Sequence, residues 1–321
     1  MPKEITHWTL AATVAKNLPG DSLFYEPVRS FPNLFLLGAI TPDVPFYYLA
    51  GPKTDAVQGL SAPFHGTNER ALLPVLSFLD QYPGRPPEVL AFAAGVISHL
   101  LADTLFHPLV YYFSGMDGVH PGATARHRQF ETAMDLYFLH LSQDRSSVSL
   151  ARVIQDLEVS KRQCCRFMAE LFQTGNRPER SCLGPALYSH MTLQRLFRSP
   201  LAYKSLAFLN QKTSWIPDKV VGLIYPVNGP VNLCFFCHPL QYRDPCTGEA
   251  FSAGIQEMRA KTGEMGKNLL GLISTELIRG GSALGVMENR DLPQIRPGFG
   301  RESVVFWRGK QDLASDLYDG F

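Results

Sequence analysis

His99, Asp103 and His107 stand four residues apart inside the apolar run GVISHLLADTLFHP, Gly95 to Pro108. A helix advances about 400° over four residues, so neighbouring members of this set differ by only about 40° and share one face. A core helix normally fills such a face with leucine and alanine. Burying two imidazoles and a carboxylate without partners costs several kcal/mol, so something must satisfy them. A divalent metal would do so, because imidazole with carboxylate suits Zn²⁺ and two ligands at i, i+4 can grip one ion. A buried His-Asp-His hydrogen-bond network would do so as well.

His127, Glu131 and Asp135 repeat the same spacing on the next helical segment. Paired helices that present histidine and carboxylate inward are the usual way for an α-fold to build a multi-metal site, so the repetition favours metal. An exposed polar face is the alternative for this second stripe, above all for Asp135. Three earlier residues join the candidates. His7 falls in the first turn of a helix expected over His7 to Asn17, with Thr6 as its N-cap. Asp43 is held in Thr41-Pro42-Asp43-Val44-Pro45, where two prolines stiffen the turn. His65 lies between Phe64 and Gly66 at the entrance of a helix expected over Glu69 to Tyr82. Taken alone, each has a plain reading as a turn or helix-entrance residue.

These residues need a helical frame, and the rest of the chain predicts one. Helical periodicity recurs over Ser146 to Gly175, Leu183 to Phe197 and Ala250 to Gly280, while strand-like alternation is scarce. The expected fold is all-α, with a metal cluster between core helices. Residues 1–145 would carry the ligands, 146–285 a helical part packed on them, and 286–321 an irregular tail, together forming one structural domain. Trp215 to Pro245, rich in proline, valine and aromatics, should form loops and short helices over the core.

The 321 residues are 45% hydrophobic and only 18% charged, against roughly 25% charged in ordinary soluble proteins, so much of the chain should be buried. A net charge of +1 without a long basic block supplies no electrostatic footprint for duplex nucleic acid. Val89 to Phe113 is long enough to span a bilayer but carries ionisable residues near its middle, which favours a buried helix. No signal peptide is read at the N-terminus, and the six cysteines fit reduced thiols, so the expected location is the cytoplasm. Cys234-Phe-Phe-Cys237-His238 matches the haem-attachment spacing C-x-x-C-H, but a packed apolar cysteine pair is the expected reading.

Laid out in chain order, the candidates resemble the zinc-dependent phospholipase C family, which is related in fold and metal site to S1/P1-type nucleases. The matching pieces are His7 in THWTLA, Asp43 in GAITPD, His65 in FHGTN, His99, Asp103 and His107 in SHLLADTLFHP, and His127 with Glu131 in HRQFE, all within about the first 135 residues. The resemblance implies a phospholipase C/P1 nuclease-like bundle. Asp43, His65, His99 and Asp103 would hold one zinc, His107, His127 and Glu131 a second, and His7 with a shared Asp103 part of a third. Secreted members complete that third site with the α-amino group of the processed chain and have more residues before their early histidine. The choline-specific ones carry an aromatic after the turn aspartate, where this chain has Val44. The implied activity is hydrolysis of a phosphodiester, with phospholipid as substrate and contact at the membrane periphery. Asp43 would be ligand and general base, with Glu131 the second claimant to that role. Arg126 or Arg128 could clamp a phosphate or be solvated surface residues. A nuclease or nucleotidase using the same metals, and a non-catalytic metal-stabilised module, are the rival readings.

Overall fold

A computed structural model describes residues 4–142, 149–213, 222–226, 231–300 and 304–309. The expectations for 146–148, for 215–221 and 227–230 of the Trp215 to Pro245 segment, and for 301–303 and 310–321 of the tail lie outside them. In chain order the α-helices are α1 (Glu4–Asn17), α2 (Tyr25–Ser30), α3 (Pro32–Gly38), α4 (Thr54–Gln58), α5 (Leu73–Asp80), α6 (Pro87–Ser114) and α7 (Ala123–Leu141). They continue as α8 (Leu150–Gln155), α9 (Lys161–Leu171), α10 (Leu183–Phe197), α11 (Pro200–Thr213) and α12 (Ile255–Ile278). The fold is all-α, apart from a two-stranded hairpin, β1 (Leu240–Arg243) and β2 (Ala250–Ala253).

Everything packs around α6. It is apolar on all sides, as a helix must be when neighbours cover its whole circumference, and α1, α2, α3, α5, α7 and α12 all touch it. By length and composition it could cross a membrane, yet 89% of its most apolar window is buried inside the protein. The closest approach is with α3. A Cβ on Gly95 would meet the Phe35 carbonyl oxygen at 2.1 Å, and one on Gly38 would meet that of Phe92 at 2.3 Å. Glycine at both positions lets the two backbones touch, which brings the end of α3 to the middle of α6, where His99 stands.

Helix α1 does not start at Thr6, which lies inside it. The amides of Ile5 and Thr6 and the Thr6 hydroxyl all donate to the Asp135 carboxylate of α7, at 3.3, 2.8 and 2.6 Å. The cap is therefore tertiary, supplied from more than a hundred residues away, and no local signal could reveal it. Asp135 is fully buried rather than part of an exposed face, and the Tyr225 hydroxyl also donates to it.

Other expectations are corrected as well. The helix expected over Glu69 to Tyr82 begins as a 3-10 turn, Glu69–Leu72, before α5, whose second residue is Pro74. Ala250 to Ala253 is a strand, paired antiparallel with Leu240 to Arg243 in the register Leu240 to Ala253. Four-residue strands are too short for alternation to show. The thiols of Cys234 and Cys237 are exposed, while Phe236 between them is buried against Phe130 and Tyr137. That segment is anchored by its phenylalanines, not by a packed cysteine pair.

Candidate metal centre

His99, Asp103 and His107 project from α6 into the protein interior, the first two fully buried and His107 at 2% exposure. His7 arrives from α1, Asp43 from the 3-10 turn Thr41–Tyr47, His65 from the end of the 3-10 turn Gly59–His65, and His127 with Glu131 from α7. Three groups of ligand atoms result, each with all members within 4.8 Å of one another: His7, Asp43 and His99; His65, His99 and Asp103; His107, His127 and Glu131. All eight residues singled out from the sequence thus converge. His7 groups with Asp43 and His99, its Nε2 lying 3.9 Å from Asp43 and 3.6 Å from Asp103.

Asp103 sits at the centre. Its Oδ1 faces Nε2 of His7 and of His107, each at 3.6 Å, and its Oδ2 faces Nε2 of His65 at 3.5 Å and of His99 at 3.3 Å. Asp43 Oδ1 lies 3.1 Å from His65 Nε2, and Glu131 Oε1 lies 2.7 Å from His127 Nε2. The rings of His7 and His99 stack at 4.1 Å.

The carbonyls behind the histidine rings favour a metal site over a hydrogen-bond network. His99 donates from Nδ1 to the Ala39 carbonyl at 3.0 Å, His65 to that of Ser61 at 2.9 Å, and His107 to that of Pro297. A carbonyl only accepts, so each of these nitrogens carries a proton, and in the neutral ring Nε2 is then a lone pair. In that state three lone pairs face Asp103, a carboxylate that also only accepts. Accordingly Nε2 of His7, His65, His99 and His107, Oδ1 of Asp43 and both oxygens of Asp103 are buried without a hydrogen-bond partner. A cation answers all of them at once, and mixed imidazole and carboxylate donors suit zinc.

The zinc dependent phospholipase C family matches residues 6–173, just over half of the chain and every one of these side chains. The chain belongs to this zinc-dependent phospholipase C family. No curated protein and no solved structure matches it. The match runs past the 135 residues on which the sequence resemblance rested. Membership and the mixed donor groups together make this a zinc phospholipase C-like hydrolase.

One part of the centre lies outside the family's matched residues. A strap, residues 295–299, reaches residues at two of the three groups, beside His65 and at His107. Besides the Pro297 carbonyl on His107, the Gly298 amide donates to the Gly66 carbonyl at 3.0 Å, and the Arg296 amide to Thr104 Oγ1 at 3.0 Å. The Arg296 side chain pairs with Asp244 at the hairpin turn, and Phe299 meets the Tyr111 ring edge-on at 5.1 Å. Tyr111 in turn contacts the rings of His107 and His127. Among the described residues 289–300 form no helix or strand, yet they carry structural weight at the centre. Arg126 is half-buried, and its Nε and an amino group donate to the carbonyls of Ser114 and Pro121, both at 2.9 Å, tying down the loop before α7.

The electrostatics of the metal-free cluster are those of a site waiting for positive charge. Burial holds His7 down to about 3 and His107 down to about 4. For Asp103, burial works against ionisation, but His107 and His99 overcome it and hold the carboxyl well below its usual range. Burial opposes the charge of Glu131 too, yet His127 brings it down to about 2. His99 is raised, because Asp103 and Asp43 outweigh its burial.

Chelation should therefore lower the melting temperature, because metal binding contributes to folding free energy. The chelated protein should itself lose stability as pH falls from about 6.5 toward 4. Over that window unfolded histidines take up protons that folded His7 and His107 refuse, so the unfolded state gains; His99, raised, works in the opposite sense as a single group. Thermal scans with and without chelator at both pH values test this, and equal melting temperatures would refute it.

Proposed function

We propose that the chain hydrolyses the phosphodiester of a phospholipid, releasing diacylglycerol and a phosphorylated headgroup, with an activated water as nucleophile. The carrying observation is the convergence of Nε2 of His7, His65, His99 and His107 with Oδ1 of Asp43 and both oxygens of Asp103, buried atoms without a hydrogen-bond partner. In this reading Asp43, His65, His99 and Asp103 hold one zinc, His107, His127 and Glu131 a second, and His7 with Asp103 part of a third. Purified protein should then contain about two zinc equivalents, with room for a third.

When bound, two such ions polarise a phosphoryl oxygen and lower the pKa of a water toward neutrality. The chain's own residues do the rest. The Ala39, Ser61 and Pro297 carbonyls keep three Nε2 lone pairs aimed inward. Asp43 accepts a proton from the attacking water, with Glu131 the second candidate for that role. As the water oxygen bonds to phosphorus in line, the bond to the glycerol oxygen breaks and that oxygen is protonated. Phe46 beside His65, and Tyr111 with Phe299 beside His127, give the centre apolar walls that suit a lipid substrate. We also propose a cytoplasmic protein working at the membrane periphery.

The test is hydrolysis of a chromogenic phosphodiester and of micellar phospholipid by the zinc-loaded protein. Asp43→Ala should abolish turnover even where zinc remains, and the wild-type rate should rise as the nucleophilic water ionises near neutral pH. Single-stranded DNA and RNA should be poor substrates, because no basic and aromatic track is evident to hold a polynucleotide. Nuclease activity with phospholipid left intact would overturn the lipid reading. Full metal content without any phosphoesterase activity would overturn catalysis itself.

A further inference from the structure

Far along the chain from the ligand residues, α9 and the segment that follows it form the two walls of an open groove of about 970 Å³. Arg162 and Arg166, one helical turn apart on α9, line one wall; Arg177 and Arg180 line the other. The groove shares no lining residue with the metal centre, and none of its lining residues is acidic.

The fold builds this arrangement. After α9 the chain reverses through Gln173 and Gly175, both at a φ of 51°. The buried Thr174 fixes that reversal: its amide and hydroxyl each donate to the Ala169 carbonyl at 3.0 Å, and the Arg177 amide then donates to the Thr174 carbonyl at 2.8 Å. Two of the four guanidiniums are held in place. Arg166 Nε donates to Glu170 at 2.8 Å, and Arg180 donates to the Gly175 carbonyl at 3.3 Å. Glu170 also accepts the Tyr82 hydroxyl, so it is engaged twice outside the groove lining. No ion pair holds Arg162 or Arg177 among the described residues.

Even with Arg166 offset by Glu170, the three cations that no ion pair holds among the described residues, Arg162, Arg177 and Arg180, are not a general excess of charge, since the whole chain has a net charge of only +1. Like charges held together repel, and an anion between them relieves that repulsion. Guanidinium presents paired N–H donors in a fixed fork that matches phosphate oxygens, and the volume is within the usual range for small-ligand sites.

We propose that the groove between α9 and residues 176–181 binds a phosphomonoester dianion, carried by a lipid headgroup or by a free phosphorylated molecule. The chemistry is the same in both cases. The proposal does not depend on the hydrolytic reading, although that reaction would release such a dianion.

The test uses the zinc-loaded full-length chain and the double variant Arg162→Glu/Arg177→Glu, with circular dichroism and hydrolysis of a soluble chromogenic diester as controls for folding. Two probes separate the sources: glycerol phosphate followed by calorimetry, and sedimentation with phosphatidylcholine vesicles with and without phosphatidic acid. Wild type should bind at least one probe in a salt-sensitive manner, and the double variant should lose that component by about tenfold or more while its soluble hydrolysis is unchanged. Loss confined to vesicles assigns a lipid headgroup, and loss of glycerol phosphate binding assigns a free ligand. Binding that survives the double substitution, as binding at the metal centre would, overturns the proposal. So does wild-type protein that binds neither probe.

Discussion

Asp103→Asn is expected to release more than one zinc equivalent and to lower hydrolysis by about a thousandfold or more, beyond the usual loss of a single stabilising group. The two Asp103 oxygens face different partners, His7 and His107 on one side and His65 and His99 on the other. An amide keeps the shape but brings only one oxygen and no charge, so two donor sets lose their shared anion together. Changing a residue that serves a single set, such as His127→Ala, should remove about one equivalent. Elemental analysis of both variants, purified without added chelator, checks the contrast. If Asp103→Asn retains its full zinc content and activity, Asp103 does not bridge.

Gly298→Ala should damage the centre from outside the family's matched region. A Cβ at this position would fall 2.0 Å from the His65 carbonyl oxygen and 2.8 Å from its carbon, and backbone cannot swing aside as a flexible side chain can. The strap must lift, taking the Pro297 carbonyl from His107 and pressing on His65. Overpacking of this kind costs about 1–3 kcal/mol, and loss of the carbonyl that orients a ligand histidine lowers metal affinity or activity by about 10–100-fold. Competition against a chromogenic chelator would measure the affinity. Gly271→Ala, on α12 with nothing within 4 Å of the added Cβ, is the control and should bind zinc normally. Equal affinities for the two variants would show that the strap is dispensable.

The ligand residues were legible because helical spacing is a property of sequence. His99, Asp103 and His107 could be placed on one face before any fold was known, and His127 with Glu131 repeated the pattern. The residues that orient them were not. Ala39, Ser61 and Pro297 act through backbone carbonyls, and every residue has one, so side-chain identity carries no trace of the role. Asp135 was visible as the fourth-residue continuation of a stripe, yet its work, capping α1 beside His7, depends on two helices meeting in space. The all-α class followed from periodicity. The hairpin escaped because its strands are four residues long and half-covered. At Cys234 and Cys237 the spacing drew attention to the sulfurs, whereas the buried anchor was Phe236.

The strap also bears on how the protein is made. Chains are synthesised from the N-terminus at about 5–20 residues per second, so roughly ten to thirty seconds separate the arrival of Glu131 from that of Pro297. During that interval all eight donor side chains are present, but His107 lacks the carbonyl that orients it. A nascent chain can therefore gather metal loosely before it can hold it in the finished geometry. The orientation of His107 is completed only when the C-terminal segment docks, after most of the helices have been made.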